Sequence, residues 1–572
     1  MRSSLASCDI EALEMETATE RICVSKDAFF RRLAVEDASV QKTILQVVQL
    51  ELQQLIDDNS RLLVDYYPTI ARLAREAPYE TIRETMALLQ SEAKKTAELD
   101  DGCHEREGCV SYFVENAVVT SIAGNEDEEL SALFQDEYLR TGRVSHYVQL
   151  LAWHKSYLRL YQKSVVAIMV HDGALPLDWR SYIALMASSE LRCHYLADLQ
   201  QYYFVVNGGE YSWTMGIDFI PPKLFLLHEI SSLLAHRPWL VTPRHIAELL
   251  SPEQEDSWSV SELVHAIVVL CQYHSMACVA LGMGCADEED LSILSHEGAE
   301  DAEAHAIRYL QRLDSADSTG STECETEVDI ADMDRDEGHL LELLKMSENR
   351  VIRAMSVEEA NKDEDEDTPD SITVDEYEFE IAESEPGEDI HADGNSRRRD
   401  TLWRFCGGSV IRYADFDVHS QEYAILNTED FSWAEHGFPL VRRYFPGKTG
   451  QVLEDQFNLT SKLTYAYYGS KKEEGVDTSP YRNAIRYYVH RIFGICHDDY
   501  DYRQVNVYLN RPTKIFIKKV ACTPWKVSKN DFEHFDHTLS ASEKCHVTLL
   551  VAEARKQAGL MYGLRAVMQH MK

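Results

Sequence analysis

Two stretches of this chain carry the same signature, and each opens a long run that fits one kind of structure. Ser259-Val260-Ser261-Glu262-Leu263-Val264-His265 is followed by Gly282, seventeen residues beyond the histidine. Ser540-Ala541-Ser542-Glu543-Lys544-Cys545-His546 is followed by Gly563 at the same spacing. A serine with glutamate three residues later is a capping box, the sequence form of a helix start. Upstream, Trp179-Arg180 precedes Cys193 much as Tyr481-Arg482 precedes Cys496. Unrelated capping boxes explain the first match alone; the shared histidine and glycine spacing points to a duplication. The expected fold is all-α, with two helical domains of similar fold.

Charge divides the chain further. Residues 1–285 hold 23 basic and 40 acidic side chains, 286–400 hold 10 and 38, and 401–572 hold 23 and 19. Most of the net charge of −41 therefore sits in the middle. Residues 361–395 alone carry fifteen carboxylates and one lysine, with little apolar surface to offset chain entropy. Four segments follow: a helical N-terminal extension (1–104), a helical domain (105–285), an acidic flexible linker (286–400) and a second helical domain (401–572). One helix is expected inside the linker, around Glu337–Met355.

Within these segments, apolar periodicity predicts helices over Leu33–Leu63, Glu80–Leu99, Trp179–Gln200, Tyr481–Cys496 and Ser540–Lys572. Lys514–Val520 reads as the one strand or extended piece. The acidic balance argues against nucleic acid and anionic membranes as partners. The run Leu263–Gly284 has the length of a membrane span, but His265, Gln272 and His274 make it a buried helix, with no membrane insertion expected. Thirteen cysteines without framework spacing, behind an acidic first twenty residues, indicate free thiols in a reducing compartment. Cys103, His104 and Cys109 lack a second ligand pair, so no metal and no cofactor are expected.

Several longer stretches resemble the sestrins: Leu233-Leu234-Ala235-His236-Arg237-Pro238-Trp239-Leu240, Trp258-Ser259, Asp430–Leu440, Gly475–Ser479 and Gly494–Asn506. The resemblance covers about 110–285 and 401–572. It implies two subdomains similar to the bacterial alkylhydroperoxidase AhpD. It also implies a stress-induced inhibitor of TOR signalling that binds the GATOR complex, released in some members by leucine. Location in the cytoplasm, and also the nucleus, follows as an expectation.

The resemblance places Cys193 as a redox cysteine on the helix Trp179–Gln200, with Tyr195 as a neighbouring hydrogen-bond donor. The C-x-x-C-x-x-x-H pattern would put a resolving cysteine and a relay histidine where Leu196 and Gln200 stand. Without them sulfenic acid finds no internal thiol, and glutamine relays no protons near neutral pH. His194 points about 100° away from Cys193 on a continuous helix. Two readings stand: weak peroxide reduction through Cys193, or a structural cysteine in a half-buried helix.

For L-leucine the resemblance implies a pocket from Arg482 and Glu543, with Thr464 and Thr478 as lid residues and Tyr481 and His546 beside them. A guanidinium fork suits the ligand's carboxylate, and a carboxylate suits its ammonium. Tyr467 replaces a family threonine, and an ungapped match puts Asp536 in place of a floor tryptophan, unless Phe535 takes over. The alternative is a plain interhelical ion pair. For the GATOR complex, Asp498 and Asp499 match the family's acidic contact pair, and Ser259 a second contact that also reads as a helix cap. The leading expectation is a TOR regulator; the alternative is an antioxidant protein using Cys193.

Overall fold

Ser540 and Ser259 do cap helices, and the two helices they start form the centre of the molecule. The computed structural model describes residues 26–60, 62–96, 108–251, 257–291, 401–406, 413, 416, 425–445, 447–463 and 477–572. Among them the longer helices are α1 (Ala38–Asp57), α2 (Leu62–Glu76), α3 (Glu80–Thr96), α4 (Glu128–Thr141), α5 (Lys155–Val165), α6 (Leu177–Glu190) and α7 (His194–Val206). They continue with α8 (Leu227–His236), α9 (Val260–Gly282), α10 (Thr449–Thr460), α11 (Ser479–Ile492), α12 (Arg511–Cys522) and α13 (Ala541–His570). The only strands among the described residues are β1 (Leu426–Asn427) and β2 (Ile495–Cys496), paired in parallel. The fold is all-α.

Helix α9 is apolar on nearly every side, because every side is covered. Its eighteen-residue apolar window is long enough to cross a membrane but is wholly buried inside the protein. Helix α13 runs antiparallel to it, and glycines set the approach. A Cβ on Gly563 would lie 2.8 Å from Ile267 Cγ2, one on Gly559 2.9 Å from Cys271 Sγ, and one on Gly282 2.9 Å from Thr548 Cγ2. The two repeat glycines are thus reciprocal, each sitting against the first turns of the other helix. The described residues of both halves belong to one compact unit.

A buried polar cluster ties this pair to its neighbours. Lys556 Nζ lies 2.7 Å from Glu553 Oε2 and 3.3 Å from Gln272 Oε1. Tyr157 donates to Glu553 Oε1 at 2.6 Å, and Gln456 donates to the Tyr157 hydroxyl at 3.0 Å. One network therefore joins α5, α9, α10 and α13, and its charges are matched, as burial requires.

Three sequence expectations need correction. Trp179–Gln200 is not one helix: α6 ends at Glu190, Arg192 takes φ 53°, and Cys193 becomes the N-cap of α7. Apolar side chains line both pieces, so the period alone hid the turn. Lys514–Val520 is helical, inside α12, whose Asn510 cap accepts from Thr513 N at 2.9 Å. Finally, the first acidic residues past 285 belong to the fold. Ala286 N donates to Val110 O at 3.0 Å, and Glu288 and Asp290 are buried. Arg143 bonds both carboxylates, at 2.6 and 3.0 Å, and Arg72 reaches Asp290 at 2.9 Å. Counting charge could not reveal that these acids are paired. The helix expected around Glu337–Met355 lies outside the described residues, as do Cys103 and His104.

Candidate functional site

The N-termini of α11 and α13 face a common cavity. Asp477 accepts from Ser479 N at 2.9 Å at the entry to α11, placing Thr478 at the N-cap and Arg482 on the first turn. The buried Arg482 donates through Nε to the Ser461 carbonyl at 2.5 Å and through its fork to the Thr478 hydroxyl. Burial pulls its pKa down, partly offset by Asp477. Glu543 is the third residue of its capping box: Ser540 donates to Oε2 from both N and Oγ, each at 2.9 Å. One turn on, His546 Nε2 lies 2.7 Å from the Thr460 carbonyl, and burial lowers its pKa to about 3. The imidazole is therefore neutral and Nε2 is its donor.

Thr478, Tyr481, Arg482, Glu543 and His546 line the cavity with the apolar Leu539, Val547 and Leu550. Its interior volume is about 10 Å³, enough for one water. A leucine-sized guest enters only by displacing a wall. Thr464 and Tyr467 lie outside the described residues. Asp536 does not form the floor: its Oδ1 accepts from Thr538 N and Oγ1, at 2.8 and 2.6 Å, so it closes its own turn. Phe535 is buried but stacks on Phe516 at 4.1 Å. Leu539 supplies the apolar side instead.

The first half of the chain holds a matching set of residues, its space filled by the chain itself. Arg180 donates to the carbonyls of Leu175 and His171 at 2.8 and 2.6 Å. His265 Nε2 lies 2.9 Å from the Ile168 carbonyl, matching His546. The Lys223 ammonium sits 3.0 Å from Glu262 Oε1, near the faces of Trp258 and Trp179 at 5.4 and 5.9 Å. Gly173 closes the remaining space, since a Cβ there would lie 2.7 Å from His265 Cε1. Sequence reading missed Lys223, which lies 39 residues from its partner and carries no local signal. Ser259 is an exposed N-cap, its Oγ accepting from Glu262 N at 3.2 Å.

Asp498 and Asp499 are both exposed on the turn after β2. Aromatic groups brace that turn. Tyr487 stacks on Tyr500 with ring centres 4.1 Å apart, and the Tyr502 hydroxyl accepts from His497 N at 3.0 Å. His490 Nδ1 and His497 Nε2 lie 2.7 Å apart, so one proton is shared between two rings. Burial lowers both histidines, His497 to about 4. Beyond the turn, Val507 is 75% exposed and Tyr508 41%. The result is a fixed acidic corner beside an apolar patch.

Cys193 is fully buried, and burial raises its thiol far above the ordinary value. A peroxide-reactive thiolate needs the opposite shift and access. The Tyr195 hydroxyl does not face this sulfur as a donor; it donates to Glu288 Oε1 at 2.9 Å and accepts from Tyr147 N at 3.1 Å. Leu196 and Gln200 are buried. The break between α6 and α7 also removes the continuous helix on which the 100° angle to His194 depended.

The fold and these sites define an all-α protein built around two capped helices, each bringing a glutamate and a histidine close to an arginine of another helix. The family model described as PA26 p53-induced protein (sestrin) matches residues 109–571. A "Sestrin homolog" of Dictyostelium discoideum is 31% identical over 566 residues, covering 95% of this chain and 89% of that protein. "Sestrin-1" of Macaca fascicularis is 35% identical over 467 residues (81% and 90%), and "Sestrin-2" of Homo sapiens 33% over 437 residues (76% and 85%). This chain belongs to the sestrin family.

Proposed function

We propose that this protein is a stress- and nutrient-responsive inhibitor of TOR signalling that acts in the cytoplasm and nucleus by binding the GATOR complex, with L-leucine as the releasing ligand. The observation that carries the reading is the Arg482–Glu543 pocket set against its counterpart. In the first half, a tethered ammonium (Lys223) satisfies the glutamate and backbone carbonyls hold the arginine. In the second half, the equivalent residues line a cavity. A free amino acid brings an ammonium for Glu543 and a carboxylate for Arg482, and Leu539, Val547 and Leu550 offer an apolar wall to its side chain.

The acidic corner at Asp498 and Asp499 is the docking element in this reading, with Ser259 as a second contact. Exposed carboxylates beside Val507 and Tyr508 provide the charged and aromatic chemistry that interface hot spots use. A pull-down of GATOR subunits tests it: Asp498→Asn/Asp499→Asn is expected to lose the complex while the fold persists, and added leucine to weaken capture by the native protein. Undiminished capture by the double variant rejects the assignment. No observation favours the peroxidase alternative, because Cys193 is sealed from solvent.

A further inference from the structure

A second cavity, lined by none of the residues of the Arg482–Glu543 pocket, lies where the end of α2 meets Gly108, His146 and residues 286–290. Its interior volume is about 110 Å³. A cavity of about 150 Å³ takes benzene, so this one suits a guest of roughly five non-hydrogen atoms. Most charges around it are matched. Asp290 is bonded by Arg72 and Arg143, and Glu288 accepts from Arg143, His146 N and Tyr195.

Two atoms are not. Arg75 Nε and Glu76 Oε2 are each buried and have no hydrogen-bond partner among the described residues. The Glu76 side chain is only 7% exposed, and its other oxygen lies 3.3 Å from His146 Nε2. Arg75, whose side chain is 32% exposed, makes only a long ion pair with Glu76, its Nε 3.9 Å from Oε1 and beyond hydrogen-bond reach. Leaving a buried donor and a buried acceptor unmet is costly, and one cation and one anion side by side specify what would satisfy both.

We propose that this cavity binds a compact zwitterion, an α-amino acid of glycine or alanine size, with its carboxylate on Arg75 and its ammonium on Glu76 Oε2. The cavity volume suits a small side chain best. The proposal is independent of the leucine pocket, since no lining residue is shared. Such a guest would join α2 of the N-terminal extension to residues 286–290.

Isothermal titration of the full chain with glycine and with L-alanine tests this, with acetate and methylammonium as single-charge controls. Saturable binding is expected for at least one amino acid, at least tenfold tighter than for either control. Arg75→Lys and Glu76→Gln should each weaken it at least tenfold, while Arg482→Ala leaves it unchanged. Arg75→Lys keeps the charge and should keep the native thermal midpoint, separating lost binding from lost folding. The proposal is overturned by three outcomes: no saturation at tens of millimolar, with waters alone filling the cavity in a high-resolution map; binding that survives both variants; or binding abolished by Arg482→Ala.

Discussion

Lys223 Nζ stands 3.0 Å from Glu262 Oε1, making the first half of the molecule carry internally the ammonium that the second half takes from outside in our reading. Burial alone would raise the Glu262 carboxyl, but Ser259 and Lys223 bring it below the usual carboxylate range. Replacing Lys223 with methionine keeps the stem between the tryptophans and removes the charge. The expected loss is about 1–2 kcal/mol in urea denaturation at neutral pH, and the variant should lose less stability than the native protein as the pH is lowered. The native contribution is complete above the unfolded glutamate pKa and disappears as pH falls through the depressed value. An unchanged denaturation midpoint at neutral pH would refute the role given to Lys223.

Arg482→Lys should lower leucine affinity at least tenfold in calorimetry, because an ammonium cannot reproduce the fork that spans Ser461, Thr478 and a ligand carboxylate. Equal affinities for the two proteins would mean that leucine does not engage Arg482.

Gly563→Val should cost about 1–3 kcal/mol, since its first added carbon meets Ile267 Cγ2 at 2.8 Å and two packed helices must separate. Thermal unfolding checks the loss, and a native midpoint would show that α9 and α13 do not approach as described.

His146 offers a pH test of the opposite sign. Burial lowers its pKa, but Glu76, with Glu288 and the Ala286 carbonyl, lifts it to about 9. The stabilisation is complete below the unfolded value near 6.5 and is lost as pH rises through about 9. His146→Gln should therefore flatten the decline in stability between those limits, seen as denaturation midpoints across the pH series. A native-like slope in the variant would exclude the pair.

Cys193 should resist a thiol reagent such as dithionitrobenzoate in the folded protein and react once unfolded. Comparison with Cys193→Ser isolates its share of the signal. Rapid native-state labelling of this position would reopen the redox reading.

The helical class and the starts of α9 and α13 were legible because capping boxes are local signals, whereas the packing of one helix on the other was not, since the sequence places them in separate domains. Arg482, Glu543 and His546 were brought together by the family resemblance, not by any local pattern. The turn at Arg192 was not legible, because α6 and α7 are both buried and apolar on either side of it. Helix α12 was misread because its β-branched residues face the core of a capped helix. The pairing of Glu288 and Asp290 with Arg143 was hidden for a different reason: those partners are distant in the chain, and composition records charge without its neighbour.

The marriage of α9 to α13 has a consequence for biosynthesis. The earlier helix leaves the ribosome long before its mate exists, and at roughly 5–20 residues per second the interval is on the order of tens of seconds. Throughout it, one of the greasiest surfaces in the protein has nothing to lie against. The nascent chain should therefore depend on chaperone shelter, and a truncated transcript ending before Ser540 should yield aggregate instead of a working first half.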